Sequence, residues 1–574
     1  MALAALSILS LAALIASERT FDRRIFAAAA QLWLVGTLLL FAGDLERALL
    51  LAALLSAAIV GASRLKWHHS TLKLTIADCS LLFAGTIPFM AAQYPRAALW
   101  SLAASIGFII VSTFTLMTAG SAPLAFDQRL TIFATTTLVA ASGYALSDRR
   151  AAYRLTKAQR YGFFSTFMAS LFDVRSWWPS RGLRMTDIAD VPLPLMSAVP
   201  ARAAIKPDII VIQHESVFDP RVFGLAIERE VAAFLSPPKS VRGHLNVDIY
   251  GGGSWQSEFS LLTGLSSASF GADAYFMLTK GVGRFHRTLP NILAAQGYET
   301  LLASSSRRDF LNYDAFYRSM GVSERRFSDD LFGVSGIDRF EKRYSDADFL
   351  PAAFGLLRDR IAAGTGPQFM IALTNFNHGP HTRQSAWPVS GNPHRDFAMS
   401  ALPDAHYAEY YARLAESAAT WQRLKRELSV LFPDRPMVIV HYGDHQPVMT
   451  RRLAQPLELR DDARRPFMTF YAIEGVNFEI DRSACASGPI LDIALLGTVA
   501  MQAAGLALDE ISATRASLMA DCGAAYFAAT SDRKRRFHRS LVDLGLIDLA
   551  PVPQPITSLP GPAETLRKAN NRPG

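Results

Sequence analysis

Cysteine is scarce, with three residues in a chain of 574. That excludes a fold built on disulfides and leaves no Cys-rich zinc framework. Charge is scarce too: 19% of residues are Asp, Glu, Lys or Arg, against 50% apolar. A disordered chain has the opposite balance. The 36 glycines follow no Gly-X-Y period, so a collagen-like chain is excluded. No basic run interleaved with aromatics is present, which argues against a nucleic-acid footprint. The length corresponds to about three to four domains' worth of chain.

What is present divides in two. Residues 1–150 carry 11 Lys and Arg and 7 Asp and Glu; residues 151–574 carry 47 and 43. In the first part, apolar runs recur at roughly 1–17, 26–42, 48–63, 77–93, 97–120 and 130–146, with the charges mostly at the joints. A spanning helix needs about 20 largely apolar residues. The pattern predicts a polytopic α-helical membrane domain over 1–150, of five or six helices, in contact with the lipid bilayer. Residues 1–17 lack a basic leading segment and read as an uncleaved span rather than a signal peptide. Basic residues cluster after the first run (Arg19, Arg23, Arg24) and after the third (Arg64, Lys66, Lys73). The positive-inside rule puts both loops in the cytoplasm and, with six spans, residues 151 onward outside. Arg149, Arg150, Arg154, Lys157 and Arg160 weigh the other way, although long domains cross largely regardless of such charges.

Residues 151–204 read as a juxtamembrane connector. Tyr161, Phe163, Phe164, Phe167, Trp177 and Trp178, mixed with basic residues, suit a helix at the membrane surface or one packed on the following domain. Pro192, Pro194 and Pro200 then mark an extended linker. From 205 to 550 the periodicity changes. Short apolar runs at 208–214, 299–304, 368–374, 436–441 and 467–473 alternate with helical stretches such as 289–296, 407–431 and 489–504. Such alternation predicts an α/β domain with a mostly parallel central sheet. Segment 489–504 is apolar but carries Asp492 and lacks basic flanks, so it reads as a buried core helix. Residues 551–574, Pro-rich and polar, read as a flexible tail.

In α/β sheets ligands sit beyond the carboxyl ends of the strands. Three of the predicted strands end in acids and imidazoles: His214-Glu215-Ser216, Asn375-Phe376-Asn377-His378-Gly379-Pro380-His381 and Gly443-Asp444-His445. Between the first two lies Gly251-Gly252-Gly253-Ser254-Trp255-Gln256-Ser257-Glu258, a glycine turn that delivers a hydroxyl where a helix begins. Glu215, Asp444 and His445 are oxygen and imidazole donors suited to Mn, Mg or Zn. A serine is a weak nucleophile near neutral pH, and metal coordination is one way to activate it. His378 is placed to protonate a leaving alkoxide or to hold a phosphoryl oxygen. Trp255, Arg307, Arg308, Asn312 and Tyr313 are candidate substrate contacts, as is His381 beside His378.

These residues, in this order, resemble the alkaline phosphatase superfamily. Within it the chain is similar to the membrane-anchored lipoteichoic acid synthase and periplasmic glucan phosphoglycerol transferase branch. The specific part is Gly-Gly-Ser-x-x-Ser-Glu-Phe together with Tyr-Gly-Asp-His. The segment from Lys66 to Asp78 also resembles a loop of these transferases. The resemblance implies a sulfatase-like catalytic domain outside the cytoplasm of a bacterial inner (plasma) membrane. Ser254 takes the place of the nucleophile, a Thr in the synthases; Glu215, Asp444 and His445 join it as ligands of one divalent ion, Mn2+ first, with Mg2+ or Zn2+ as alternatives. His378 takes the place of the substrate-binding histidine. Around 310–314 the chain departs, with Leu311 and Tyr313 where the synthases have Trp and Arg.

The implied reaction moves phosphoglycerol from phosphatidylglycerol, through a phosphoserine, to a glycan or polymer acceptor. Two alternatives share the fold. Phosphoethanolamine transferases of this kind are disulfide-rich, whereas only Cys485 and Cys522 lie outside the membrane part here. A phosphodiester hydrolase is the other; a sulfatase needs a Cys/Ser-x-Pro-x-Arg setting that Ser254-Trp255-Gln256-Ser257 does not give.

Overall fold

A computed structural model describes residues 2–18, 20–70, 73–76, 78, 91, 94–117, 123–147, 162–173, 182–333, 344–364, 366–453, 464–482, 490–522, 526, 529 and 531–550. The predicted tail, most of the fourth apolar run, Trp177, Trp178, Tyr161 and Cys485 lie outside these residues. The first part contains the helices Ala2–Ala16, Phe21–Ala42, Leu45–Ser70, Pro95–Met117 and Phe126–Leu146. Three stretches, Phe21–Ala42, Leu45–His68 and Pro95–Met117, are long and apolar enough to cross a membrane by length and composition. Ala2–Ala16 has 15 residues. At about 1.5 Å per residue it falls short of a hydrocarbon core about 30 Å thick. Phe126–Leu146 has the length, with 21 residues, and it carries several threonines. The Thr131, Thr135 and Thr137 hydroxyls donate to carbonyls one turn earlier, which hides their polarity within the helix.

Small residues let these helices approach. A Cβ on Gly36 would lie 2.4 Å from Thr136 Oγ1, and one on Gly143 would lie 3.1 Å from the Ala29 Cβ. Leu99, Trp100, Ile109, Ile110 and Phe114 stand exposed on Pro95–Met117, an apolar face that water does not favour.

The contacts at the ends of these helices show which loops lie together. At one end Leu124 N–H donates to Gly43 O, and Arg129 donates to Leu40 O. At the other, the Glu18 carboxylate accepts from Gly162 and Ser165 N–H, Ile76 N–H donates to Ser170 Oγ, and Trp67 meets Arg451 of the α/β domain. The loops after the first and third helices therefore lie on the same end of the helices as the α/β domain. The positive-inside rule had placed those loops and that domain on opposite sides. Its cations are engaged within the protein: Lys66 pairs with Asp78, while Arg64 and Lys73 lie over the Phe163 ring.

The connector helix Phe163–Phe172 packs on the membrane-type helices, with Phe164, Met168 and Ala169 buried beside Phe26 and Ala30. The proline-marked stretch that follows lies along the α/β domain. There Thr186 N–H donates to Ser269 O, Met196 N–H donates to Thr514 Oγ1, and Val199 pairs with Leu508.

The α/β domain is built on one eight-stranded sheet: β1 Asp208–His214, β2 Val241–Asn246, β3 Glu299–Ser304, β4 Glu324–Arg326, β5 Gln368–Leu373, β6 Met437–Gly443, β7 Met468–Val476 and β8 Ile490–Asp492. Their order across the sheet is β4-β3-β5-β1-β6-β7-β2-β8. Pairing is parallel except for β7, which runs antiparallel to β6 and β2. In β1, Ile209 and Val211 join one core and Ile210 and Ile212 the other, so both faces are covered. The helix Ala405–Leu431 lies on one face and Ile493–Ala503 on the other.

One predicted helix is corrected. Within 489–504, Ile490–Asp492 is a strand paired with β2, and the helix starts at Ile493. Asp492 accepts from Ala494 N–H as its N-cap, the position a short acid favours.

Candidate active site

Strand β1 carries Glu215 at its end, and the next residue, Ser216, sits in the left-handed region at φ 58°. Strand β6 ends at Gly443, where a Cβ would lie 1.7 Å from Val217 O. Only glycine lets the two strand ends approach so closely. The approach puts Asp444 against the β1 loop, and Ser216 N–H donates to Asp444 Oδ1 at 2.7 Å. The glycine turn closes the third side: Gly251 N–H donates to Gln446 O, and Gly251, Gly252 and Gly253 all have positive φ.

Ser254 then stands at the head of the helix Trp255–Thr263. A serine there usually caps its helix. This one makes no side-chain cap bond. Its hydroxyl donates to Glu215 Oε2 at 3.1 Å and lies 3.4 Å from His445 Nε2. His445 Nε2 is in turn 3.3 Å from Glu215 Oε1 and 3.6 Å from Asp444 Oδ2. The positive end of the helix dipole points into the same space and favours an anion.

These residues fit a divalent cation. One ligand atom from each of Glu215, Asp444 and His445 lies within 4.8 Å of the others, and all three residues are buried. Asp444 Oδ2 is buried with no hydrogen-bond partner. His445 Nδ1–H donates to Gln446 O, which turns Nε2 toward the carboxylates. The electrostatics agree. Burial would raise the Glu215 pKa, yet His445 and His378 hold it well below the usual carboxylate range. Burial and the Glu215 charge push Asp444 upward. Burial alone would lower His445, but Asp444 and Glu215 carry it up to about 9.

The remaining predicted residues separate. His378 bears on Glu215 electrostatically, and its Nδ1–H donates to Gly379 O. His381 is buried instead, donating from Nε2 to Asn377 O and packing edge-on to Tyr410. Trp255 Nε1–H donates to Tyr275 O. Arg307 pairs with Asp309 and Asp329, and Arg308 with Asp314 and Asp330. Asn312 donates to Leu278 O. Tyr313 is buried and donates to Glu258.

Two supports were not read from the sequence. Glu258 lies under the site and accepts from Gln213, Tyr313 and Tyr317. Burial pushes its pKa up to about 7, against the pull of the Tyr317 and Gln213 hydrogen bonds. The signal was the one charged residue in a nine-residue helix whose every residue is buried. Glu258→Ala leaves three buried donors without their acceptor and is expected to cost about 3–5 kcal/mol, whereas Glu258→Gln keeps an acceptor oxygen and costs about 1 kcal/mol. Thermal unfolding of the two variants checks the ordering. The second support is Arg413, which is fully buried on Ala405–Leu431. It pairs with Glu409 and donates to the carbonyls of Phe376, His378 and Arg383, pinning the loop that carries His378.

The Sulfatase family profile matches residues 207–475, from the start of β1 to the end of β7. An uncharacterized protein of Haemophilus influenzae is 26% identical over 322 residues, which are 53% of this chain and 55% of that protein. The match thus spans little more than half of the relative's length. Two solved structures resemble parts of the chain. The lipooligosaccharide phosphoethanolamine transferase EptA of Neisseria meningitidis has a TM-score of 0.49 and 12% identity, covering 79% of this chain and 84% of that one. The Streptococcus pyogenes phosphoglycerol transferase GacH has a TM-score of 0.45 and 16% identity, covering 60% and 87%. The strand ends that gather Glu215, Ser254, Asp444 and His445 all fall inside the stretch that matches the Sulfatase profile.

Proposed function

We propose that the chain is a metal-dependent phosphotransferase that moves the phosphoglycerol group of phosphatidylglycerol to a hydroxyl of an envelope glycan or polymer. The observation that carries the reading is the Ser254 hydroxyl, which leaves its helix uncapped and points at Glu215 and His445 instead. Glu215, Asp444 and His445, with Ser254, would hold one divalent ion; the donors suit Mn, Mg or Zn, and Mn2+ is put first from the family resemblance. When bound, such an ion lowers the pKa of a neighbouring hydroxyl and offsets charge on a phosphoryl oxygen.

The chain's own residues do the rest. Ser254 Oγ, its hydroxyl oriented by the hydrogen bond to Glu215 Oε2, attacks the phosphorus of the lipid as its proton passes to water. The Oγ–P bond forms and the bond from phosphorus to the diacylglycerol oxygen breaks, His378 giving that oxygen its proton. A phosphoseryl group remains at the helix N-terminus. The acceptor hydroxyl then loses its proton to His378 and bonds to phosphorus as the Oγ–P bond breaks, and Ser254 Oγ takes back a proton from water. The catalytic domain acts at the outer face of a bacterial inner membrane, where both the lipid donor and the glycan are present.

Phosphoglycerol is favoured over phosphoethanolamine by the cysteine count. A disulfide-rich domain is the mark of the second branch, and this chain has three cysteines in all, with Cys522 a free, buried thiol. The test supplies vesicles of phosphatidylglycerol or phosphatidylethanolamine to the full-length protein with Mn2+ and measures diacylglycerol. Release from phosphatidylglycerol at least about tenfold faster is expected; the reverse preference hands the protein to phosphoethanolamine transfer.

A further inference from the structure

The end of the helix Leu45–Ser70 reaches the nucleophile loop from both sides. On one side, the Arg451 guanidinium lies between two rings, 4.7 Å from Trp67 and 5.6 Å from Tyr250. The Tyr250 hydroxyl is fixed by Val448 O and Thr450. On the other, Lys66 Nζ sits 4.7 Å over the Tyr275 ring, held by Asp78 and by Lys73 O. Tyr275 packs on Trp255 at 5.1 Å and accepts from its indole N–H. Tyr250 lies four residues before Ser254 and Trp255 one after it. Trp67 closes the apolar stretch Leu45–His68, the position where indoles settle at a bilayer interface.

We propose that these two cation–aromatic contacts strap the Ser254 loop to the end of a membrane helix. The nucleophile is thereby held at the head-group layer, with Trp67 and Arg451 acting as positioning residues for a lipid phosphodiester. This rests on the reading that the donor is a membrane phospholipid. A solvated arginine alone holds no fixed place. Clamped between two rings it gives up side-chain freedom, which the cation–π attraction offsets, and it keeps its charge. The strap adds nothing to the chemistry at Ser254. It sets how far Ser254 stands from the bilayer, so its loss falls on a substrate embedded in lipid and spares one free in solution.

The test uses the full-length protein in vesicles with Mn2+. Two substrates are compared, phosphatidylglycerol in the bilayer and bis(p-nitrophenyl) phosphate in solution. Trp67→Ala is expected to lower kcat/KM for the lipid about tenfold and to leave soluble-diester turnover within about twofold. Arg451→Ala lowers lipid turnover similarly, the double variant loses no more than either single one, and Trp67→Phe restores most of it. Independently of any substrate, the pair Trp67→Cys with Arg451→Cys is joined by a short bis-maleimide, and the variants with only one of the two substitutions are not.

Equal loss on both substrates, or no loss on the lipid, overturns the proposal, as does failure of the pair to join. A wild-type protein that turns over the soluble diester but neither phosphatidylglycerol nor phosphatidylethanolamine overturns the donor reading instead. It removes the lipid role of the strap with it, while the cross-link still decides whether the loop is docked.

Discussion

Ser254→Ala is expected to reduce turnover of both lipid and soluble diesters by about ten-thousandfold or more, the scale on which removing a covalent nucleophile acts. It should do so without unfolding the domain. The hydroxyl contributes no cap bond to Trp255–Thr263, so its removal leaves that helix's backbone partners as they were. Nor does it remove Glu215, Asp444 or His445, so metal affinity falls far less than activity. Ser254→Thr keeps a hydroxyl on the same carbon and is expected to retain a measurable part of the rate. Melting temperature, metal binding and turnover measured on one preparation separate these effects. A Ser254→Ala protein with full activity would end the phosphoserine mechanism.

Chelation is the second large effect. Stripping divalent ions is expected to take turnover to background, and Mn2+ to restore it. The pH dependence of that restoration follows from the site. Without metal, Asp444 and Glu215 keep His445 protonated up to about pH 9 against the effect of burial. A metal ligand must be neutral imidazole, so binding expels that proton. Affinity therefore rises with pH, about tenfold per unit for one proton, and levels off above about pH 9. Asp444, raised by burial and by Glu215, holds back a further proton as the pH falls. The slope is therefore steeper on the acid side. Calorimetry in two buffers of different ionisation enthalpy counts the protons released. Affinity that is flat between pH 6 and pH 9 would contradict this arrangement of charges.

The central strands and their polar tails were legible in the sequence. β1, β3, β5 and β6 are apolar runs long enough to be buried on both faces, and the change to Glu215, Asn375 or Asp444 marks where each leaves the core. The edge strands were not. β2 reads Val-Arg-Gly-His-Leu-Asn, with no clean alternation, and it is a strand because β7 and β8 pair with it. β8 has three residues and was absorbed into an apolar run until the Asp492 cap set the boundary.

Among the site residues, Glu215, Ser254, Asp444 and His445 were readable because each follows a strand or a glycine turn. Arg307 and Arg308 looked available for substrate in sequence, yet acids on their own and neighbouring loops pair with them. The same pairing bears on the charge rule. It counts Lys66 and Lys73 as anchors on one side of a membrane, but it cannot see Asp78 or the rings that hold them. The contact between Trp67 and Arg451 had no sequence signal, because it joins segments that meet only once both parts have folded.

The most direct test of the central claim is to incubate the full-length protein with Mn2+ and phosphatidylglycerol vesicles, withhold the acceptor, and map adducts by mass spectrometry. The account predicts a phosphoglycerol group on Ser254, matched by released diacylglycerol. Diacylglycerol release with Ser254 unmodified, persisting in Ser254→Ala, would contradict it.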